Sequence, residues 1–259
     1  MIAAHFVPTD GPPRVRLGLI VWAAGMLGVV ASVVYLPDLF AAFGQDPSEF
    51  PLWLPAVAVL QSSLLLALAA AAGAALAPKV GLHAPIAEAL ASSRPAGPAV
   101  RSQLLPGLAG AAFGTVLLLA LGAVAPDAIA ALEGQFDPPL WLRVLYGGIT
   151  EEVLIRWGVM TAVVWVGWRF VQRRDGSPRP AVVWTAIIVS ALLFGAGHLP
   201  VAAELTGSLT LPVVVYVVLG NSAFGIVAGW LYWKKGLEAA FFAHVGTHVG
   251  VVAFTALAA

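Results

Sequence analysis

The chain has 259 residues, of which 60% are hydrophobic and only 10% are charged, and its mean hydropathy is +0.93. Because soluble domains carry about 25% charged residues, this composition excludes a soluble globular protein and indicates a polytopic membrane protein. The formal net charge is zero and cysteine is absent. Nothing therefore indicates a nucleic-acid partner, and disulfides, thiolate metal sites and a cysteine nucleophile are excluded together.

Seven apolar segments follow in chain order, each near the roughly twenty residues that a helix needs to cross a bilayer. Arg14 and Arg16 precede the first, which is long enough to span and has no small-residue cleavage site after it, so we interpret it as an uncleaved span. We predict an all-α transmembrane bundle of about seven helices, with an eighth left open. The segments are 17–36, 52–77, 106–125, 141–166, 181–199, 211–233 and 237–258.

The connections between these segments alternate in charge. Loops 37–51 and 126–140 carry acidic residues and no base, whereas 78–105, 167–180 and Lys234–Lys235 carry Lys and Arg. By the positive-inside rule the N-terminus is cytoplasmic and the C-terminus is outside. We expect an integral protein of a bacterial or archaeal plasma membrane, in contact with membrane lipids.

The connection 78–105 is too polar to cross the membrane. Pro85 could begin a short helix through Leu90, with Glu88 in its first turn, because proline and acidic residues both favour helix starts. A plain loop is an equal alternative.

Two adjacent carboxylates and an arginine interrupt the apolar segment 141–166: Glu151, Glu152 and Arg156. A charge at membrane depth costs about 2.5–3.5 kcal/mol on insertion scales, so such residues usually face a bundle interior or a wet cavity. Glu152 and Arg156 are four apart and share a helical face, which predicts an ion pair. Glu151 lies about 100° round the helix and can point elsewhere. The alternative is a purely structural ion pair that locks helix packing.

Three histidines lie in or at the ends of later spans. His198 ends the fifth span, and His244 and His248 project from one face of the seventh because they are four apart. A glutamate in an apolar pocket can act as general base, and histidines can orient water, donate to an oxyanion or bind a metal. Two histidines with a glutamate also form a zinc-hydrolase ligand set, although no glutamate lies between His244 and His248.

These residues resemble the motifs of the CPBP (CAAX protease and bacteriocin-processing, or Abi) intramembrane protease family, which includes Rce1-type CAAX prenyl proteases. Glu151, Glu152 and Arg156 match its Glu-Glu-x-x-x-Arg motif, and Phe194 and His198 match Phe-x-x-x-His. The third motif begins with a histidine, matched by His244, and the sequence GIVAGWLYWKKGLEAAFFAH that leads to it resembles the family's usual approach. The resemblance covers roughly residues 100–250.

The resemblance implies an intramembrane endopeptidase acting on a membrane-bound or lipidated peptide or protein, which could carry a prenylated Cys-a-a-X sequence. Glu151 is then the expected general base, and Glu152 could share that role. His198 would orient the water, and His244 would stabilise the oxyanion or bind metal. Arg156 and Phe194 would support the site.

The chain departs from the family at His248, because the third motif normally ends in Asn or Asp. A histidine can still donate a hydrogen bond to the oxyanion, but it also adds a metal ligand. Zn²⁺ is the cofactor that this set could hold, and a metal-free mechanism is preferred. The expected ligands would be Glu152, His198, His244 and His248.

The predicted span boundaries conflict with a shared site. At about 1.5 Å per residue, Glu151 and His198 lie roughly 20 Å or more from the cytoplasmic ends of their spans, and His244 only about 10 Å. The three can meet only if the fifth span extends into the cytoplasm, with Trp184 near the interface, or if the seventh begins deeper.

We divide the chain into a disordered tail (1–13), N-terminal transmembrane helices with a cytoplasmic loop (14–99) and a CPBP-like catalytic domain (100–259). Two other functions compete with a protease. A proton-coupled transporter could relay protons through the same glutamates and histidines, although no internal repeat supports it. A non-catalytic immunity or scaffold protein could keep the family fold, and the altered His248 favours this alternative.

Overall fold

The computed structural model describes residues 12–132 and 136–258, apart from the side chain of Pro47. Within these residues the regular elements are all helical, which confirms the all-α prediction. Residues 1–11, most of the expected disordered tail, lie outside them. The helices are α1 Arg14–Ala42, α2 Leu54–Leu76, α3 Pro85–Ala91, α4 Gly97–Gly122, α5 Asp127–Ala130, α6 Leu140–Val171, α7 Pro180–Gly197, α8 Leu199–Thr206, α9 Leu211–Lys234 and α10 Leu237–Ala258.

Seven helical segments of the described chain are long and apolar enough to cross a membrane, as predicted. They are α1, α2 with its short 3₁₀ extension, α4, α6, α7 with α8, α9 and α10. The predicted and observed boundaries differ most in α4, which begins at Gly97, whereas the sequence predicts a start at residue 106. Pro98 occupies its first turn, where the missing N–H costs nothing, and Pro106 lies inside the helix.

The connection between α2 and α4 contains the short helix that was one of two sequence alternatives. This helix, α3, begins at Pro85, and Glu88 lies in its first turn. Glu88 accepts a hydrogen bond from the N–H of Ala84 at 3.1 Å, which satisfies one of the free donors at a helix start. The plain-loop alternative is therefore wrong.

The helices do not end at the same level. The predicted difference in depth between Glu151 or His198 and His244 therefore does not keep these residues apart. The first residues of α10, Leu237 and Glu238, are buried beneath α3, where the N–H of Ala87 donates to Oε1 of Glu238 at 2.9 Å. Trp184 in the second turn of α7 packs edge-on against Trp233 at the end of α9, with ring centroids 6.2 Å apart. Thus α10 starts beneath another helix, and α7 begins about one turn beyond the end of α9.

The long helix α6 is fixed against α1 and α2. Trp157 is fully buried, and its Nε1–H donates to the carbonyl of Ala70 in α2 at 3.2 Å. The Thr150 hydroxyl donates to the carbonyl of Gly25 in α1 at 2.6 Å. These bonds satisfy polar groups that could not find water in the bundle interior, and they fix the helix that carries the first motif.

Three stretches of α6 are wound as π-helix: Arg143–Glu151, Val153–Met160 and Gly167–Val171. Such winding bonds each residue to the fifth along the chain, is rare, and is found frequently at functional sites. It brings residues five apart, such as Tyr146 and Glu151, to the same side of the helix.

Candidate active site

A cavity of about 660 Å³ lies between α1, α4, α6, α7, α9 and α10. Its size is within the range of about 300–1,000 Å³ typical of ligand sites. Glu151, His198, His244 and His248 all line it. The three motifs, each on a separate span, therefore face one space.

Glu152 and Arg156 form the ion pair that the sequence predicts. Both side chains are fully buried, and Nη1 of Arg156 lies 3.1 Å from Oε1 of Glu152. Nη2 of Arg156 donates to the carbonyl of Gly225 at 3.2 Å, and the guanidinium lies 4.8 Å from the centroid of the Phe194 ring. Removing one partner of such a buried pair would leave an uncompensated charge, so this pair locks α6 to α9 and α7.

His244 is oriented by the same carboxylate. Its Nδ1 lies 2.8 Å from Oε1 of Glu152. That oxygen also faces Nη1 of Arg156, so it is the acceptor and Nδ1 is the donor. The ring packs on Phe224 with centroids 4.6 Å apart. The free nitrogen, Nε2, lies near Gly147 on the cavity wall, where it can face a substrate.

His198 is oriented by the backbone. Its Nδ1 lies 2.8 Å from the carbonyl of Phe194, which can only accept, so Nδ1 carries the proton and Nε2 presents a lone pair. The Phe194 ring contacts His198 edge-on at 4.8 Å and His244 at 6.1 Å. Phe194 therefore contacts two histidines as well as Arg156.

His248 occupies the position where the family has Asn or Asp. Its ring stacks on His244 with centroids 5.0 Å apart and planes 25° apart. A Cβ on Gly147 would lie 2.9 Å from Nε2 of His248. The absence of a side chain at Gly147 thus makes room for the imidazole on the cavity wall.

Glu151 differs from its neighbour Glu152. It is partly exposed on the cavity wall, and in the described part of the chain it forms no ion pair, whereas Glu152 pairs with Arg156 and His244. Its carboxylate is therefore the one free to exchange a proton with a molecule in the cavity.

The expected zinc ligands do not form a metal-binding set. Among the described residues, no three His, Asp or Glu side chains are placed to hold one metal ion. Nδ1 of His198 and of His244 are held by Phe194 and Glu152, and Oε1 of Glu152 also faces Arg156. We therefore derive no step through a metal, and zinc binding stays a prediction.

Several polar residues of the cavity wall were not singled out from the sequence, among them Arg143, Tyr146 and Asn221. Arg143 is ion-paired with Asp137. Asn221 is the only asparagine of the chain, and its amide donates to the carbonyl of Val217 at 2.8 Å. A polar residue within an apolar span was the signal that could have identified Asn221.

The fold and the site define an integral membrane protein that holds titratable side chains around a cavity among its spans. Residues 136–250 match the family model described as "Type II CAAX prenyl endopeptidase Rce1-like". This part of the chain is therefore an Rce1-like domain, which confirms the resemblance, and it contains all the motif residues. Comparisons with curated proteins and with solved structures gave no match.

Proposed function

We propose that the protein is an intramembrane endopeptidase that hydrolyses a peptide bond of a membrane-associated protein or peptide, with residues 100–259 as the catalytic domain. The observation that carries the proposal is the single cavity lined by Glu151, His198, His244 and His248, within a domain of a protease family. A lipidated Cys-a-a-X protein is the substrate class suggested by the family's description.

The first step is attack by water. The lone pair on Nε2 of His198 accepts a hydrogen bond from the water and orients it. Glu151 takes a proton from this water while its oxygen bonds to the carbonyl carbon of the substrate, which gives a tetrahedral oxyanion. Positioned general bases of this kind contribute about 10²–10⁴-fold to a rate.

The second step is stabilisation and collapse of the oxyanion. The charge of Glu152 stabilises the protonated form of His244, whose Nε2–H then donates to the oxyanion, and His248 supplies a second N–H. The carbon–nitrogen bond breaks, and Glu151 returns its proton to the leaving nitrogen.

Comparison of peptide termini tests the proposal. Membranes from cells expressing wild type, Glu151→Gln or Glu204→Gln would be analysed for new peptide ends by mass spectrometry. Glu204 is exposed on α8 and is a matched control for the loss of one carboxylate. We expect the same new ends with wild type and Glu204→Gln and none with Glu151→Gln. Identical ends in all three samples would favour the scaffold or immunity alternative.

A further inference from the structure

Much of the cavity wall lies near one end of the surrounding helices. The wall residues of α1 and α4, such as Leu39 and Leu121, lie near the C-terminal ends of these helices. Those of α6 and α9, such as Leu142 and Tyr216, lie near the N-terminal ends. Because these helices alternate in direction, those ends all lie on one side of the bundle. This is the side of the connections 43–53, 123–139 and 207–210.

Exposure of the cavity wall increases towards that side. Phe194, His244 and Thr247 on the wall are buried, whereas Gly122 at the end of α4 and Val201 at the start of α8 are exposed. The mouth of the cavity therefore lies where α4 ends and α8 begins.

The opposite end of the bundle is covered. There Leu82, Ala84 and Ala91, in and beside α3, are buried in one apolar cluster with Leu237 at the start of α10, and Glu238 is buried next to it. The amide of Gln103 in α4 also donates to the carbonyl of Lys235 at 3.0 Å. These contacts join the connection before α10 to α3 and α4.

The positive charges lie at this covered end. Apart from Arg143 and Arg156, every Lys and Arg is in the first turn of α1, in the segments 79–101 and 169–179, or at Lys234–Lys235. By the positive-inside rule this end is cytoplasmic. The open mouth, with Asp137 on its connection, is then on the other side.

We propose that the cavity opens away from the cytoplasm and that its substrate is an apolar, membrane-anchored peptide segment reaching the site from the extracytoplasmic side. The substrate part rests on the proposed function. This class differs from the lipidated Cys-a-a-X protein suggested by the family's description, because a lipid-anchored C-terminus held at the cytoplasmic face would meet the covered end. Water for hydrolysis also enters through the outer mouth.

The lining fits an apolar segment. Leucine and aromatic side chains form much of the wall, and among the described residues Arg143 is the only Lys or Arg that lines it. Asp137 neutralises Arg143 by an ion pair, so the mouth has no strong selectivity for charge. Apolar contact with the side chains around the scissile bond then supplies the binding.

Single cysteines in this cysteine-free chain test the orientation. Val201→Cys places a thiol at the mouth, and Arg173→Cys places one in the basic segment after α6. Intact cells would be treated with a membrane-impermeant maleimide, before or after permeabilisation. We expect Val201→Cys to react in intact cells and Arg173→Cys to react only after permeabilisation. The reverse pattern would overturn the proposal.

The new peptide ends described above test the substrate class. We expect the cleavage sites to lie on the extracytoplasmic side of the substrates' membrane anchors. Sites on the cytoplasmic side would overturn the proposal while leaving the protease function intact. The expected labelling without any new peptide ends would instead remove the protease function, and the substrate class with it, while the orientation stood.

Discussion

Two faces of α6 carry residues of the same type in opposite surroundings. On the cavity face, Glu151 is partly exposed beside Gly147. On the packed face, Glu152 and Arg156 are fully buried and touch α9 and α10. Two adjacent glutamates therefore have different surroundings: Glu151 lines the cavity, and Glu152 is held by a cation and a histidine. Substitutions on the cavity face should change the reaction, and those on the packed face should change folding.

The largest expected loss of stability is on the packed face. Arg156→Leu leaves the Glu152 carboxylate buried without its cation, which costs about 3–5 kcal/mol. We expect a marked loss of protein from the membrane and a lower unfolding midpoint in detergent. Arg101→Leu removes an exposed arginine from α4 and should match wild type in both measurements. An Arg156→Leu protein with wild-type abundance and unfolding midpoint would contradict the distinction between the packed face and the cavity face of α6.

A somewhat smaller effect is expected at His248, on the cavity side. If His248 donates to the oxyanion, His248→Ala should slow cleavage about 10²–10³-fold, whereas His248→Asn should keep most activity because an amide also donates. Both variants should fold like wild type, and their cleavage rates would be measured on the substrate found from the new peptide ends.

Measuring the metal content of the purified protein tests the alternative role of His248 as a metal ligand. Zinc measured by elemental analysis at one ion per chain, and lost in both variants, would assign His248 as a metal ligand, since an asparagine amide binds zinc poorly. An active His248→Asn protein without metal would support the donor role.

The smallest effects are expected at two adjacent glycines, one on each face of α6. A Cβ on Gly148 would lie 2.4 Å from Cγ2 of Val245 and 3.2 Å from its Cα, so α10 would have to move. Overpacking of this kind costs about 1–3 kcal/mol, and Gly148→Ala should lower the unfolding midpoint. A Cβ on Gly147 meets only histidine side chains, so Gly147→Ala should displace His248 and slow cleavage roughly tenfold, about 1.4 kcal/mol.

Gly97 provides the control for both glycine variants, because a Cβ there meets nothing within 4 Å. Gly97→Ala should leave the midpoint and the cleavage rate unchanged. If Gly147→Ala lowered the midpoint and Gly148→Ala slowed only cleavage, the two faces would have been assigned the wrong way round.

Hydropathy and charge spacing were sufficient to predict the seven spans and the Glu152–Arg156 pair, because both depend on local sequence. The depth conflict arose from treating the span ends as level. No local pattern shows that α3 would cover Leu237 and Glu238. The α-helical spacing puts Tyr146 and Glu151, five residues apart, on different faces, whereas this part of α6 is wound as π-helix and both line the cavity.

The cleavage rate of Glu151→Gln tests the central claim most directly. The change keeps the shape of the side chain and removes its charge, and it would be measured beside Glu152→Gln at equal amounts of folded protein. We predict that Glu151→Gln cleaves about 10²–10⁴-fold more slowly than wild type with an unchanged unfolding midpoint. Glu152→Gln should lower the midpoint, because it leaves Arg156 buried without its anion. Full activity of Glu151→Gln on a verified substrate would contradict the account.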